Sequence, residues 1–330
     1  MSVQSPSAVV MVRPHRFAPN PQTLADNGFQ PDADGHDPER LAAAAYDEVT
    51  RAGVALEAAG VTVHLFEDET EHRPDSVFPN NWISTHSGGH IALFPMYTPN
   101  RRTERRGDIV ELLKTTYRVQ DVIDYSGLEY DDVFLEGTGA MVLDHELRIA
   151  YAARSNRADP IALERFCTNF GYEPMVFDAV DGRGIAVYHT NVILSIATEF
   201  ALVAADMLVS PARRQEVLDR LSARGRRDVI ALSNTQIDEF AGNALELWGS
   251  AGRVLALSQR AFDALTHDQR ERIERTARLL PLDVPTIELA GGSVRCMLAG
   301  VHLDPRPGLV ERQGTTARAD DAAADEIAAL

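Results

Sequence analysis

The chain is poor in cysteine, has fewer basic than acidic residues, and contains no long apolar run. Its 330 residues include 2 cysteines, too few for a disulfide framework and consistent with a reducing compartment. The 32 basic and 49 acidic residues give a net charge of -17, and phosphate binding needs clustered positive charge, so we expect no nucleic-acid partner. No segment has the length of a membrane span, and the first residues lack the pattern of a secretory leader. We therefore expect a cytoplasmic protein with no membrane partner.

The motifs of several common cofactor sites are also missing. An open, doubly wound α/β sheet with a dinucleotide site would carry a three-glycine fingerprint after its first strand, and neither 137–139 nor 182–184 continues to a third glycine at the required spacing. The chain has no phosphate-binding P-loop and no paired-histidine zinc motif. A Ser-Gly-Gly turn separates His86 from His90, and we expect both to face solvent. The sequence predicts no metal and no organic cofactor.

What the chain does have is an internal repeat. Five short segments resemble one another around Asn81, Glu136, His189, Asn243 and Cys296, at steps of 53 to 55 residues. A near-constant period of this length indicates stacked copies of one supersecondary unit. If the copies form a ring, equivalent positions face the same axis, so these five residues are predicted to meet at one site.

The segments between these positions predict one α/β unit: a strand, the polar site segment, a second strand and a helix. Three helices are predicted from an N-cap residue followed by proline, at Asp37, Asp159 and Ser210. A fourth helix is predicted over 101–116, and a fifth begins at the capping pattern of Thr266 and Gln269. The strands predicted after the five helices are 61–66, 119–124, 173–178, 228–232 and 284–289.

Together the five units predict one closed domain over residues 8–311. Closing the ring requires the N-terminal strand 8–12 to pair with the last unit, after Cys296. Residues 1–7 and 312–330 are polar or alanine-rich, and we expect them to form flexible tails.

Three of the five equivalent positions carry a thiol, an imidazole and a carboxylate, the minimal set for nucleophilic catalysis. Cys296 follows a glycine pair and adjoins Arg295, a cation that favours a thiolate. His189 suits general acid–base work, and Glu136 would orient its imidazole and stabilise the cationic form. Cys167, which lies among large apolar residues, is predicted to be a buried and inert thiol.

These segments resemble the guanidine-modifying, or pentein, superfamily of arginine deiminases, dimethylarginine dimethylaminohydrolases and amidinotransferases. The motifs MVRPHRFAPN, FPNNWIS, EGTGAMVLD, HTNV and GGSVRCML occur in order over nearly the whole chain, and they are most similar to the citrulline-utilisation hydrolase branch. The resemblance implies an α/β fold of the pentein type, a five-bladed pseudo-symmetric propeller with a Cys-His-acid site at its axis. It assigns Cys296, His189 and Glu136 to the catalytic positions.

The resemblance also implies contacts with the substrate. Asp75 matches an aspartate that contacts the substrate in dimethylargininases, and Arg101 and Arg154 match arginines that hold its α-carboxylate. A guanidinium binds a carboxylate through two hydrogen bonds, which suits this role. Asn191, two residues after His189, and Asn243, at an equivalent ring position, are further candidates, Asn243 as a donor to an oxyanion.

One departure from the superfamily pattern bears on the substrate. Asn80 and Asn81 stand where guanidinium-binding relatives have glutamate and aspartate. With two neutral amides in place of two carboxylates, the site lacks the negative charge that would pair with a substrate cation. A buried guanidinium without such a partner is unfavourable by several kcal/mol. A neutral ureido group offers a carbonyl acceptor and N–H donors, which asparagines can match. We therefore predict hydrolysis of citrulline to ornithine, ammonia and carbon dioxide through a covalent intermediate on Cys296.

Three alternatives stay open. The same residues could remove an amine from arginine or dimethylarginine, or transfer an amidino group to a second amine. A rival of another class is a non-catalytic propeller like the ribosome anti-association factors, against which the nucleophile set counts. The expected partner is a small amino-acid substrate, no cofactor is required, and a homodimer is left open.

Overall fold

A computed structural model describes residues 3–24, 26–30 and 37–307. Within these ranges the strands are β1 (Ala8–Pro14), β2 (Thr62–Asp68), β3 (Ile83–His86), β4 (His90–Leu93), β5 (Asp121–Asp124), β6 (Met141–Asp144), β7 (Ile149–Ala153), β8 (Glu173–Phe177), β9 (Leu194–Ile196), β10 (Phe200–Val203), β11 (Asp228–Ala231), β12 (Leu245–Gly249), β13 (Gly252–Ser258), β14 (Arg278–Leu282) and β15 (Ala299–Gly300). The α-helices are α1 (Pro38–Ala58), α2 (Gly107–Thr116), α3 (Gly137–Ala140), α4 (Pro160–Phe170), α5 (Pro211–Leu221), α6 (Asn234–Asp238), α7 (Gln259–Ala264), α8 (His267–Glu274), α9 (Pro285–Glu288) and α10 (Val294–Met297).

The strands form five small sheets of one design. In each sheet a first strand pairs antiparallel with a second, and at least one helix then leads to a third strand parallel to the second. The sheets are β3-β4-β5, β6-β7-β8, β9-β10-β11, β12-β13-β14 and β15-β1-β2. The last of these joins the two ends of the chain, since Val9 pairs with Gly300 and Val10 with Ala299. The predicted repeating unit and the predicted pairing of the N-terminal strand are confirmed.

The predicted helix starts are confirmed by their caps. The side chains of Asp37, Asp159 and Ser210 each accept a hydrogen bond from a backbone N–H in the first turn of α1, α4 and α5. Thr266 and Gln269 form the predicted capping box of α8. Short polar side chains therefore define where these helices begin, independently of the core.

The helix predicted over 101–116 is interrupted. A 3-10 segment covers Pro99–Glu104, and α2 begins only at Gly107. Arg105 between them is extended because its guanidinium is held by Glu129 and by the carbonyl oxygen of Phe94. The break turns Arg101 and Glu104 inward, where both are buried.

The prediction of a strand over 284–289 is wrong. Residues Pro285–Glu288 form α9, and the third strand of that sheet is β14, a few residues earlier. The carboxylate of Glu48 on α1 accepts hydrogen bonds from the N–H groups of Thr286 and Ile287, which satisfies the first turn of α9. A partner more than 200 residues away in sequence thus selects the helical turn.

Part of the predicted N-terminal tail, residues 4 and 5, is packed rather than loose. Gln4 and Ser5 are buried, and Nε2 of Gln4 donates to the carbonyl oxygens of Leu143 and Ile196. The predicted tail thus begins, within the described residues, as a segment packed between two sheets. The other predicted tail, 312–330, and the domain boundary at 311 lie outside the described residues.

The helices cover the sheets and form the core with them. In the first unit Ala45, Val49 and Leu56 of α1 pack with Val9 and Met11 of β1. Among the described helices, none combines the length and the apolar character that crossing a membrane requires.

The site segments share one position in this design. The 3-10 turns Pro79–Asn81 and Thr190–Val192 and the short helices α3 and α10 each lead directly into the first strand of a sheet, β3, β9, β6 and β15 respectively. Asn243 lies just ahead of β12, the first strand of the remaining sheet. All five segments therefore occupy equivalent places in their units, as the spacing predicted.

Candidate active site

Glu136 and His189 form a buried pair. Glu136 lies at the start of α3, and its Oε2 is 2.9 Å from Nε2 of His189, while its Oε1 accepts a hydrogen bond from the N–H of Tyr97. An ionised carboxylate only accepts, so Nε2 carries the hydrogen in this pair. Nδ1 of His189 is then the ring nitrogen left for proton transfer.

Two guanidinium groups keep Glu136 ionised. Burial by itself would raise the pKa of Glu136, but Arg157, the hydrogen bond to His189, and Arg101 outweigh it and lower the pKa. Nη1 of each arginine lies 3.5 Å from Oε2. Burial lowers the pKa of His189, and its bond to Glu136 offsets only part of that effect. The resting state is therefore a carboxylate beside a neutral imidazole.

Cys296 lies in α10, buried, with two amide donors on its sulfur. Nδ2 of Asn191 and Nδ2 of Asn243 are each 3.3 Å from Sγ. Oδ1 of Asn243 accepts a hydrogen bond from the backbone N–H of Arg295, which fixes the orientation of that amide. Both asparagines thus lie beside Cys296, and Asn243, predicted as a donor to an oxyanion, contacts the sulfur.

One cavity brings the predicted residues together. It is lined by Asp75, Asn81, Arg101, His189 and Cys296. Its volume is about 10 Å³, room for about one water molecule. The cavity also contacts Thr23 and Asn27, which belong to the segment that follows β1. The segment that follows β1 therefore forms part of the cavity wall.

Arg101 is the centre of a buried ionic network. Its guanidinium lies 3.0 Å from Glu104, 3.5 Å from Asp75 and 3.5 Å from Glu136. Burial would lower the pKa of Arg101, but these carboxylates outweigh it and raise the pKa. Burial raises the pKa of Asp75, and it raises that of Glu104 to about 8. Protonation of these acids relieves the crowding of carboxylates around one cation.

The two asparagines at 80 and 81 are buried and differ in their contacts. Oδ1 of Asn81 accepts a hydrogen bond of 3.0 Å from Nη2 of Arg101, and its Nδ2 has no partner among the described residues. Both amide atoms of Asn80 are likewise without a partner in the described part of the chain. Of the two, Asn81 lines the cavity. Buried polar groups without partners are uncommon, so these amides are notable features of the site.

Because Gly139 has no side chain, the imidazole of His189 and the amide of Asn81 can both lie close to its backbone. A Cβ atom at Gly139 would collide with Nδ2 of Asn81 and would lie 2.9 Å from Nδ1 of His189. Any side chain here would fill the space that these two groups share. The glycine in the EGTGAM segment is therefore a condition for the geometry of the site.

The structure does not bring Arg154 to the cavity. Its side chain is exposed and lies 3.8 Å from Asp178. Arg157, three residues further along, is buried instead, lines the cavity, and pairs with Asp26 and Glu136. Nothing in the sequence distinguishes the two arginines, because both follow β7 in the same polar loop and only the path of the loop selects Arg157.

Other residues of the site were also not predicted. Glu104 lay within a predicted helix, Asn20 was not singled out, and Asp26 and Tyr188 carried no motif. Nδ2 of Asn20 donates to Oδ2 of Asp75 at 2.7 Å, and the ring of Tyr188 lies 4.6 Å from that of His189. The only signal for Asn20 is its place at the end of the MVRPHRFAPN segment.

Two predictions about single side chains have different outcomes. Cys167 is buried in the core, and burial raises the pKa of its thiol to about 12, as expected for an inert cysteine. The expectation of solvent-facing histidines is wrong for His86, which is buried 4.3 Å from the ring of Phe170. His90 is partly exposed beside Asp121. In the described residues, no group of three or more His, Cys, Asp and Glu side chains could hold a metal ion.

The sequence matches a protein-family model over residues 13–303, that of N,N-dimethylarginine dimethylhydrolase, eukaryotic. No curated protein matches the chain by sequence.

Several solved structures share the fold. One is the apo form of ArgZ, an arginine dihydrolase from the ornithine–ammonia cycle in cyanobacteria, with a TM-score of 0.68 and 16% identity over 91% of this chain. This chain spans 41% of that protein but 98% of its isolated N-terminal domain, whose substrate-bound structure also has a TM-score of 0.68 and 16% identity, over 90% of this chain. A dimethylarginine dimethylaminohydrolase in an adduct with S-methyl-L-thiocitrulline has a TM-score of 0.60 and 16% identity, covering 91% of this chain and 100% of that one. At this level of identity the likeness establishes the fold.

Proposed function

We propose, from the premise that this chain belongs to the N,N-dimethylarginine dimethylhydrolase family, that it hydrolyses the terminal ureido C–N bond of citrulline through Cys296. Members of this family are hydrolases that act on carbon–nitrogen bonds other than peptide bonds. Membership also confirms the resemblance to the pentein superfamily. The substrate and the roles of single residues are the proposal.

The orientation of Asn81 carries the choice of a ureido group. Arginine side chains can only donate hydrogen bonds, so the contact with Arg101 fixes Oδ1 of Asn81 as the acceptor and leaves Nδ2 as an unpartnered donor beside the cavity. A substrate guanidinium presents only N–H donors and has nothing to offer Nδ2. The carbonyl oxygen of a ureido group accepts from it, and the hydrogen bond strengthens as that oxygen becomes negative.

The remaining residues supply the steps of a hydrolysis. As the sulfur of Cys296, which faces two amide donors, attacks the ureido carbon, its proton passes to Nδ1 of His189, and Asn81 stabilises the oxyanion. The bond from that carbon to the δ-nitrogen breaks, and Nδ1 of His189 gives the leaving amine its proton. Water, deprotonated by His189, then cleaves the carbamoyl thioester. One citrulline and one water give ornithine and carbamic acid, which decomposes to ammonia and carbon dioxide.

A specific observation also favours a guanidino substrate as the second candidate. Four buried or partly buried carboxylates, those of Asp26, Asp75, Glu104 and Glu136, surround the guanidinium groups of Arg101 and Arg157. When all are ionised, two negative charges are in excess, and Oδ1 of Asp75 has no partner in the described residues. A cationic substrate would compensate this excess, as for arginine or dimethylarginine.

Side-by-side turnover of citrulline, arginine and dimethylarginine by the full chain tests the choice. We expect ornithine and ammonia from citrulline, with no turnover by Cys296→Ala. Formation of citrulline from arginine or dimethylarginine, with citrulline itself left unchanged, would overturn the ureido proposal in favour of the guanidino one. Calorimetry in buffers of different ionisation enthalpy adds a second readout, because a cation entering this cluster should displace protons and neutral citrulline should not.

We also infer that the five sheets close into a five-bladed propeller. The pairing of β1 with β15 joins the first and last units, and the first strand of every sheet lines one common cavity. Location in the cytoplasm and a homodimer stay predictions from the sequence.

A further inference from the structure

A second cavity lies where the five sheets meet, beyond the catalytic segments. Every sheet contributes its first strand to the lining, through Ser84 on β3, Leu143 on β6, Ser195 on β9, Leu245 on β12 and Gly300 on β15. We call this cavity the inter-sheet chamber. Its volume is about 40 Å³, room for about three water molecules or one small ion.

The chamber holds a guanidinium without a counter-ion. The side chain of Arg295 lines it, and Nη1 donates to the carbonyl oxygen of Leu298 at 3.1 Å. No carboxylate of the described residues lies within ion-pair distance of this guanidinium, and the thiol of Cys296 is its one ionisable neighbour of opposite sign there. Burial accordingly lowers the pKa of Arg295. The side chain of Arg295 is partly buried, and a cation removed from bulk water with most of its donors unused is stabilised when an anion joins it.

The buried carboxylates on the chamber's strands have other partners. Asp144 at the end of β6 binds Arg227 at 2.6 Å, and Glu246 on β12 accepts from the N–H of Thr198 at 2.8 Å. Their charges are committed to contacts outside the chamber. The positive charge of Arg295 is left for a diffusible ligand.

Two histidines separate the chamber from the surface. The rings of His145 and His302 stack with centroids 3.9 Å apart, and both side chains line the chamber and also an outer cavity of about 550 Å³ that contains the half-exposed Trp248. Burial, together with the charge of Arg295, lowers the pKa of His302 to about 4, and burial lowers that of His145 as well. Both rings are neutral at neutral pH, so neither competes with Arg295 for an anion. A small shift of this stack would connect the two cavities.

We propose that the inter-sheet chamber is a binding site for a small monovalent anion, of the size of chloride, bromide or nitrate, held by the guanidinium of Arg295. The chamber volume excludes larger anions such as gluconate. The serine hydroxyls and the amide of Gln4 supply polar lining but no opposing charge.

The anion would also act on the nucleophile, a consequence that rests on the proposed role of Cys296. The backbone N–H of Arg295 donates to Oδ1 of Asn243, whose Nδ2 donates to Sγ of Cys296. Arg295 interacts electrostatically with Cys296. A neighbouring cation in general increases the reactivity of a cysteine, and a bound anion would cancel that charge. Anion binding should therefore slow alkylation of Cys296.

Bromide, which can be located by anomalous scattering, tests the site directly. Crystals of the full chain grown in gluconate and soaked in sodium bromide should show an anomalous peak beside the Arg295 guanidinium. In solution, replacing gluconate by chloride at constant ionic strength should raise Tm by on the order of a few degrees, since a ligand of the folded state stabilises it. Arg295→Gln should abolish the shift, whereas Arg295→Lys and the surface control Arg40→Gln should retain it.

The outcomes separate this proposal from the catalytic one. The anion site is supported if bromide is found in the chamber and if chloride raises Tm only when position 295 carries a cation. This support holds even if the protein turns over none of the substrates tested. The proposal is overturned if no bromide is found in the chamber, or if chloride raises the Tm of Arg295→Gln as much as that of the native protein. The coupling to Cys296 predicts severalfold slower alkylation by iodoacetamide in chloride than in gluconate. Equal rates while bromide is seen in the chamber would refute the coupling.

Discussion

Oδ1 of Asn81 accepts a hydrogen bond of 3.0 Å from Nη2 of Arg101, and this contact leaves the Asn81 amide N–H as the group next to the cavity. Arg101 is itself held by Glu104 and Asp75. If the proposed ureido chemistry holds, the substrate preference depends on an arginine that need not touch the reacting group.

Changing Asn81→Asp should reverse the preference. The variant replaces the N–H donor by an acceptor, so citrulline use should fall and arginine binding should improve. Each change should be on the order of a charge-assisted hydrogen bond, roughly 1.5–3 kcal/mol or one to two orders of magnitude in kcat/KM. The measurement is kcat/KM for both substrates, with the exposed Asn234→Asp as the matched control. If citrulline turnover were unchanged in Asn81→Asp, the Asn81 amide would not be the hydrogen-bond donor to the ureido oxygen.

Arg157 and Arg154 provide a paired test of the site's boundary. Arg157→Ala removes a buried partner of Glu136 and Asp26, and breaking such a buried pair costs roughly 3–5 kcal/mol. Arg154→Ala removes an exposed contact worth about 0–1 kcal/mol. We expect a large loss of kcat/KM and a lower Tm for the first variant and near-normal values for the second. If Arg154→Ala lost more activity than Arg157→Ala, the sequence-based prediction that Arg154 contacts the substrate would be favoured again.

The two cysteines should differ sharply toward iodoacetamide. Two amide donors face the sulfur of Cys296, whereas burial raises the pKa of Cys167 to about 12. Peptide mapping after limited alkylation should therefore find the adduct on Cys296, with activity lost in parallel. Loss of activity with the label on Cys167 alone would reassign the nucleophile. Cys167→Ser is the control and should keep both activity and labelling.

Glu104 should make stability depend on pH. Its pKa is raised from an ordinary 4.5 to about 8, so the folded state binds this proton more tightly than the unfolded state does. The resulting stabilisation is complete below about pH 4.5 and is lost as pH rises to about 8. Denaturant unfolding from pH 5 to 8 should show a steeper fall in stability for the native protein than for Glu104→Gln. The exposed Glu111→Gln should follow the native profile, and parallel curves for all three would exclude Glu104 as the source.

Several features were predictable because their causes are local or periodic. A side chain that caps the first turn of its own helix is encoded within four residues, so the starts of α1, α4, α5 and α8 could be predicted. The spacing of 53 to 55 residues reflects one structural unit repeated along the chain, and it grouped Cys296, His189 and Glu136 before any contact was known. Residues in equivalent units occupy equivalent places whatever the connecting loops do.

Other features depend on partners that are remote in sequence, and the sequence-based expectation was wrong for some of them. Glu48 selects a helical turn at 285–288 where the apolar pattern indicated a strand, and Leu143 and Ile196 bind the N-terminal Gln4 that composition marked as loose. The choice of Arg157 over Arg154 follows from the path of one loop past Glu136. A hydrogen bond or ion pair lowers the free energy only where the chain brings its two groups together, and that meeting is a property of the whole fold. The sequence by itself thus determined the unit, its repetition and the chemical groups of the site. The tertiary structure decided which arginine enters the site, which way the Asn81 amide points, and that Arg295 lies between the sheets without a carboxylate partner among the described residues.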